Sequence, residues 1–218
     1  MKETLFMGRI TATVTHEIKN VLAIIRESGG LMEDFLNMVE GDNFKYKDRF
    51  HKIISNIEDQ VVRGDAISTL LNRFAHSPDA DVASENVPDL LDQMIVLSAR
   101  LAKAKEIVFK SDKDSGVILI SSDPIRIRML IFQAMDVLMN YCKPGQTILV
   151  NSKVNDSKLI TLEFSVDSKT QVLQEFEQII LSDQWKDLIS TVESLDSKAF
   201  INPENGTLRL ELRSNDNR

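Results

Sequence analysis

The stretch Thr13-Val14-Thr15-His16-Glu17-Ile18-Lys19-Asn20-Val21-Leu22 decides how the first third of the chain folds. Around it, Phe6, Ile10, Val14, Ile18, Val21, Ile25, Met32, Leu36 and Val39 mostly recur every three or four residues, with one wider gap at the Gly29-Gly30 pair. That spacing predicts one long amphipathic helix between Leu5 and Val39. With about 100° of turn per residue, His16 points about 140° away from the mean direction of the apolar stripe. A packed core histidine would point along the stripe, so His16 is expected to face solvent. Asn20 lies one turn further on the same side, and Glu17 sits beside His16, nearer the stripe. An exposed imidazole flanked by a carboxylate suits nucleophilic work. The carboxylate can hold one ring nitrogen as N–H and leave the other with its lone pair free. Position alone leaves an ordinary surface histidine as the alternative.

Outward from this helix, Glu40-Gly41-Asp42-Asn43 breaks the pattern, and a second stripe runs through Phe50, Ile53, Ile57, Ile67, Leu71 and Phe74. The two segments predict an antiparallel helical hairpin over 1–76. Two helices cannot bury stripes this wide between them, so the hairpin is expected to pair with a second copy as a four-helix bundle, making a homodimer. The polar segment from Ala75 to Pro88 lacks periodicity and holds two prolines, which predicts a linker at 77–88. Beyond it, at 89–218, the elements alternate. Helices are expected at Leu90–Lys105, Pro124–Tyr141 and Val172–Leu195. Strands are expected at Ile107–Lys110, Val117–Ser121, Thr147–Val154, Leu159–Val166 and Leu208–Arg213, with turns at Lys143-Pro144-Gly145 and Asn155-Asp156. The fold class is therefore α+β: a helical hairpin followed by an α/β sandwich with helices on one face of a sheet.

Composition excludes several functions. A net charge of −7 and an isoelectric point near 5.1 argue against a nucleic-acid surface, which needs a concentrated basic patch. No run of apolar residues is long enough to span a bilayer, and Met1–Ile10 lacks the apolar block of a signal peptide, so a cytoplasmic protein is expected. The single cysteine, Cys142, can form neither an internal disulfide nor a cysteine metal cluster, and reads as a semi-buried small apolar residue. His16-Glu17 does not open a zinc HExxH motif, because Asn20 stands at the second ligand position. His51 and His76 read as surface residues near the start and at the end of the second helix.

The segment Ala12 to Ile25, centred on His16-Glu17-Ile18-Lys19-Asn20-Val21-Leu22, resembles the H-box of bacterial sensor histidine kinases. In that motif His-Glu is followed by a variable pair, Asn or Thr, often Pro, and Leu. Val21 stands here where the proline is frequent. The resemblance covers residues 5–76. It implies that His16 is phosphorylated on a ring nitrogen, that Glu17 is its acid–base or orienting partner, and that Asn20 positions water or a phosphoryl group.

The second region resembles the kinase ATP-binding domain with its motifs lost. Asp123 to Val137 runs like the helix entering the N-box, and Tyr141 to Val150 like the following turn and strand. The family's magnesium-binding asparagine falls on Val137, which has no oxygen for a hard cation. Where the family has Asp-x-Gly-x-Gly and a glycine-rich lid, this chain has Val166-Asp167-Ser168-Lys169-Thr170-Gln171 and no glycine again until Gly206. Phosphate cradles rely on closely approaching glycine backbones, so no ATP and no other cofactor or metal is expected. Asp167 reads as a strand-end turn residue.

A phosphorylatable histidine on a dimeric hairpin beside an incompetent ATP domain looks like a histidine phosphotransferase. Dimeric phosphotransferases of sporulation and cell-cycle phosphorelays are similar in layout. The resemblance implies response-regulator receiver domains as partners, a hybrid histidine kinase upstream, and no cofactor of the protein's own. The alternatives are a divergent histidine kinase, a receiver phosphatase working through Glu17 and Asn20, and a non-catalytic scaffold for response regulators.

Overall fold

The apolar periodicity around His16 is realised as a single helix in the computed structural model, which describes residues 3–38, 47–112, 116–155, 159–167, 178–203 and 205–214. Helix α1 runs Glu3–Asn37, straight through the Gly29-Gly30 pair, and α2 runs Lys47–Ala75. The turn expected at residues 40–43 lies outside the described residues. The helices are antiparallel, as their contacts run in opposite order along the chain: Glu17 with Arg63, Ser28 with Asn56, Phe35 with Phe50. Val14, Val21, Phe50, Ile67 and Phe74 are buried, which places the core of the hairpin on the stripes that the sequence marks.

By its internal contacts the chain divides into two compact units, Thr11–Phe74 and Met1–Ile10 with Ala75–Arg218. The beginning of α1 therefore belongs with the second unit and not, as the 1–76 boundary expects, with the hairpin. The reason is a set of contacts onto a later helix. The Phe6 ring packs tilted against Phe132 with centroids 5.4 Å apart, Arg9 lies over the same ring at 4.9 Å, and Arg9 forms a two-pronged ion pair with Asp136 at 2.6 and 2.9 Å.

The second unit is built on a five-stranded sheet in the order β2-β4-β5-β7-β6, with β2 (Val108–Ser111), β4 (Thr147–Val154), β5 (Ile160–Asp167), β6 (Lys198–Asn202) and β7 (Thr207–Leu212). The β2–β4 pair is parallel and the rest are antiparallel. Alternate residues bury one face: Ile148 and Val150, then Ile160, Leu162, Phe164 and Val166, then Leu208, Leu210 and Leu212. Helices α3 (Val87–Ala104), α4 (Pro124–Tyr141) and α5 (Asp183–Ser194) supply much of the rest of this core. Helix α4 is buried on nearly every side. It begins where the sequence predicts, because the Asp123 side chain accepts from the Ile125 and Arg126 amides and Pro124 fits the first turn. The turn after it depends on Gly145, whose φ of 84° favours glycine and whose amide donates to the Glu106 carbonyl at 2.7 Å.

Three further features depart from the sequence reading. The supposed linker 77–88 carries a 3-10 turn at Ser77–Asp79 and a strand, β1 (Ala83–Asn86), and α3 already begins at Val87. Strand β1 pairs antiparallel with β3 (Leu119–Ser122), and Glu85 is held by Arg128 at 2.5 and 2.7 Å, both long-range contacts without a local signature. The helix expected at Val172–Leu195 is interrupted at Ile180–Ser182, where the Ser182 hydroxyl caps a new start by accepting from the Trp185 amide. The first part of that expected helix, through residue 177, lies outside the described residues. Strand β6 was not expected at all. It is an edge strand that alternates half-buried and exposed residues and gains its order by pairing with β7.

Candidate functional site

Helix α1 presents His16 and Asn20 to solvent, one turn apart on the same face, while Thr13, Val14 and Val21 turn inward. Glu17 lies at the margin between these faces, its side chain only 17% exposed. Its Oε2 accepts from Nη2 of Arg63 on α2 at 2.9 Å. The sequence reading places Glu17 nearer the bundle, where it is found, but assigns its carboxylate to the His16 ring. Among the described residues its Oε2 is paired with Arg63, a residue that the sequence reading does not single out. No local signal marks Arg63, because the pair spans 46 residues and depends on the register of two helices.

That register is close at this level. A Cβ on Gly64 would stand 3.2 Å from Val21 Cγ1, so glycine lets α2 pass near α1 one residue from Arg63. The remaining histidines are remote from this arrangement in sequence. His51 is exposed on α2, and His76, just past its end, contacts the Asp79 carboxylate at 2.7 Å.

The positions that resemble a nucleotide site carry other roles. Val137 is wholly buried in α4. Asp136, next to it, is engaged by Arg9, and the Phe132 ring is covered by Phe6 and Arg9. The face of α4 that carries these residues is therefore occupied by the first turns of α1. Asn140 is exposed and its amide donates back to the Asp136 carbonyl at 2.8 Å. Asp167 ends β5 exposed to solvent, and the residues following it, 168–177, lie outside the described ones. Cys142 is half-buried at the end of α4. Among the described residues no three His, Cys, Asp or Glu side chains gather in a metal-binding group, and no helix is long and apolar enough to cross a membrane.

The fold is similar to that of the nucleotide-free catalytic domain of the histidine kinase ThkA. Two forms of that domain superpose with a TM-score of 0.51 each, at 12% and 15% sequence identity, covering 62% of this chain and 98% and 97% of theirs. The histidine kinase AdeS of Acinetobacter baumannii aligns over 92% of this chain and 98% of its own, at 10% identity and a TM-score of 0.48. No protein-family profile and no curated protein sequence matches the chain. At such identities the likeness is one of fold, and the chain has a mixed α+β fold of the histidine-kinase type, with N-terminal helices followed by a sheet and its covering helices.

Proposed function

We propose that this protein is a histidine phosphotransferase of a two-component phosphorelay, taking a phosphoryl group from one response-regulator aspartate onto His16 and returning it to another. The observation that carries the proposal is the exposed His16, one residue from a half-buried, ion-paired carboxylate on a helical hairpin. A ring nitrogen of His16 attacks the phosphorus of the phosphoaspartate, forming the P–N bond as the acyl-phosphate P–O bond breaks and the aspartate carboxylate leaves. The receiver's own magnesium accompanies its phosphoryl group, and the docked geometry makes the step effectively unimolecular. A hybrid histidine kinase fits as the source of phosphate, in a cytoplasmic setting. Incubation with a panel of phosphorylated receiver domains tests the proposal: at least one should lose its phosphoryl group to the protein.

The proposal places two hairpins in one four-helix bundle. In support, Leu22, Ile54 and Val61 are 59%, 41% and 54% exposed, large apolar side chains that a second copy would cover. Light scattering at micromolar concentration should give about twice the 24.7 kDa of the chain. A monomer at that concentration would sink the shared bundle.

No ATP chemistry is assigned to the second unit. Val137 offers no ligand to magnesium, and the α4 face beside it holds Arg9 and Phe6. Magnesium and ATP at millimolar concentration should leave the melting temperature unchanged, since a ligand that binds only the native state must raise it. A clear upward shift would favour a divergent kinase instead.

A further inference from the structure

Among the described residues, the acid beside His16 is held from the opposite helix by one donor. Nη2 of Arg63 contacts Oε2 of Glu17 at 2.9 Å, and among the described residues no second donor is seen at Oε1. Arg63 is 53% exposed and Glu17 17%, so the charge pair straddles the edge of the hairpin core. A glutamate on a helix surface samples several rotamers, and a partner fixed on the second helix restricts them. Gly64 indicates that the approach is specified at this level. Among the described glycines of α1 and α2, Gly8, Gly29 and Gly30 would place a Cβ in open space, whereas at Gly64 it would press on Val21. Glycine is the poorest helix former after proline, and only at Gly64 does the packing within the hairpin account for its presence.

We infer that Arg63 is a positioning residue of the phosphotransfer site, holding the Glu17 carboxylate in the α1–α2 seam with Oε1 free for the His16 ring N–H. As the lone-pair nitrogen of His16 forms its bond to phosphorus, positive charge develops on the ring. A carboxylate already fixed beside the remaining N–H offsets that charge without first having to be ordered. Arg63 touches neither phosphorus nor receiver in this arrangement; it acts through Glu17. The inference rests on His16 being the phosphoacceptor.

The test compares wild type, Arg63→Gln, Arg63→Lys, Glu17→Gln and the Glu17→Gln/Arg63→Gln double variant, following phosphoryl transfer from a phosphorylated receiver across receiver concentrations. Arg63→Gln should lower the limiting rate about 10- to 100-fold, the scale of a misplaced catalytic group, while the half-saturating receiver concentration stays within about twofold. Arg63→Lys should recover most of the loss, because one cationic donor suffices for a one-pronged contact. In the Glu17→Gln background, Arg63→Gln should cost nothing further, since residues acting as one unit are not additive. Exposed ion pairs add little to stability, so the melting temperature of Arg63→Gln should stay near that of wild type. A wild-type limiting rate in Arg63→Gln, equal losses in both backgrounds, or a change confined to half-saturation would overturn the inference. If His16→Ala abolishes transfer while Arg63→Gln does not alter it, only the role of Arg63 falls. If the wild-type protein takes phosphate from no receiver, the phosphotransferase reading falls and Arg63 with it.

Discussion

His16→Ala should fold and assemble as the wild type does, yet accept no phosphate from any phosphorylated receiver. The two halves of this expectation have separate grounds. His16 faces solvent on α1 and supports no packing, so its removal should change stability by no more than about 0.5 kcal/mol, as surface substitutions usually do. Transfer, by contrast, needs a nucleophilic nitrogen at this position, and alanine has none. Acid-labile phosphate incorporation, measured beside circular dichroism and light scattering, separates the two. Glu17→Ala and Asn20→Ala should give graded losses. Glu17 matters more for transfer, and Asn20 more for any hydrolysis of the receiver, since an amide can position water but cannot act as a base. If His16→Ala takes phosphate at the wild-type rate, the H-box resemblance does not describe this protein's chemistry.

The largest expected effect on stability lies far from His16 in sequence, at Phe132. Its ring is fully buried, packed at a tilt against Phe6 and capped by the Arg9 guanidinium. Phe132→Ala should destabilise the second unit by about 3–5 kcal/mol, the range for removing a buried phenyl group and leaving a cavity. Against a total stability of roughly 5–15 kcal/mol for a domain, that loss is severe and should appear as a large drop in denaturant midpoint. Two compact units need not unfold together, so the transition should be followed by a probe in the second unit, such as Trp185 fluorescence. Arg9→Ala should cost much less, because Arg9 is over a third exposed and its ion pair with Asp136 is screened by solvent. A Phe132→Ala protein that unfolds at the wild-type midpoint would mean that the first turns of α1 do not pack on α4 as described.

Several elements were legible from residues close in sequence. The bounds of α4 and of β4 agree with expectation because local chemistry sets them: a capping aspartate and a proline open α4, and a run of β-branched and apolar residues after the Gly145 turn marks β4. The exposure of His16 also follows locally, since helix geometry alone converts the apolar spacing into a direction. Strand β6 failed to show because Lys198-Ala199-Phe200-Ile201-Asn202 carries only two strongly apolar residues, and its order comes from β7. Strand β1 failed for the same reason, with β3 and Arg128 as the distant partners. The break before α5 failed differently: apolar periodicity continued across it, while a single serine cap restarted the helix.

The sequence by itself determined the faces: which side of α1 is buried, that His16 and Asn20 share the opposite side, and that Val137 brings no oxygen to α4. Only the tertiary structure decided the pairings, namely that Arg63 reaches Glu17, that Gly64 lies against Val21, and that Phe6 and Arg9 cover Phe132 and Asp136. Periodicity along a helix is a property of neighbours three and four residues apart. The register between two helices is instead set by the packing of both surfaces at once, so contacts separated by 46 or 127 residues leave no mark in either segment alone.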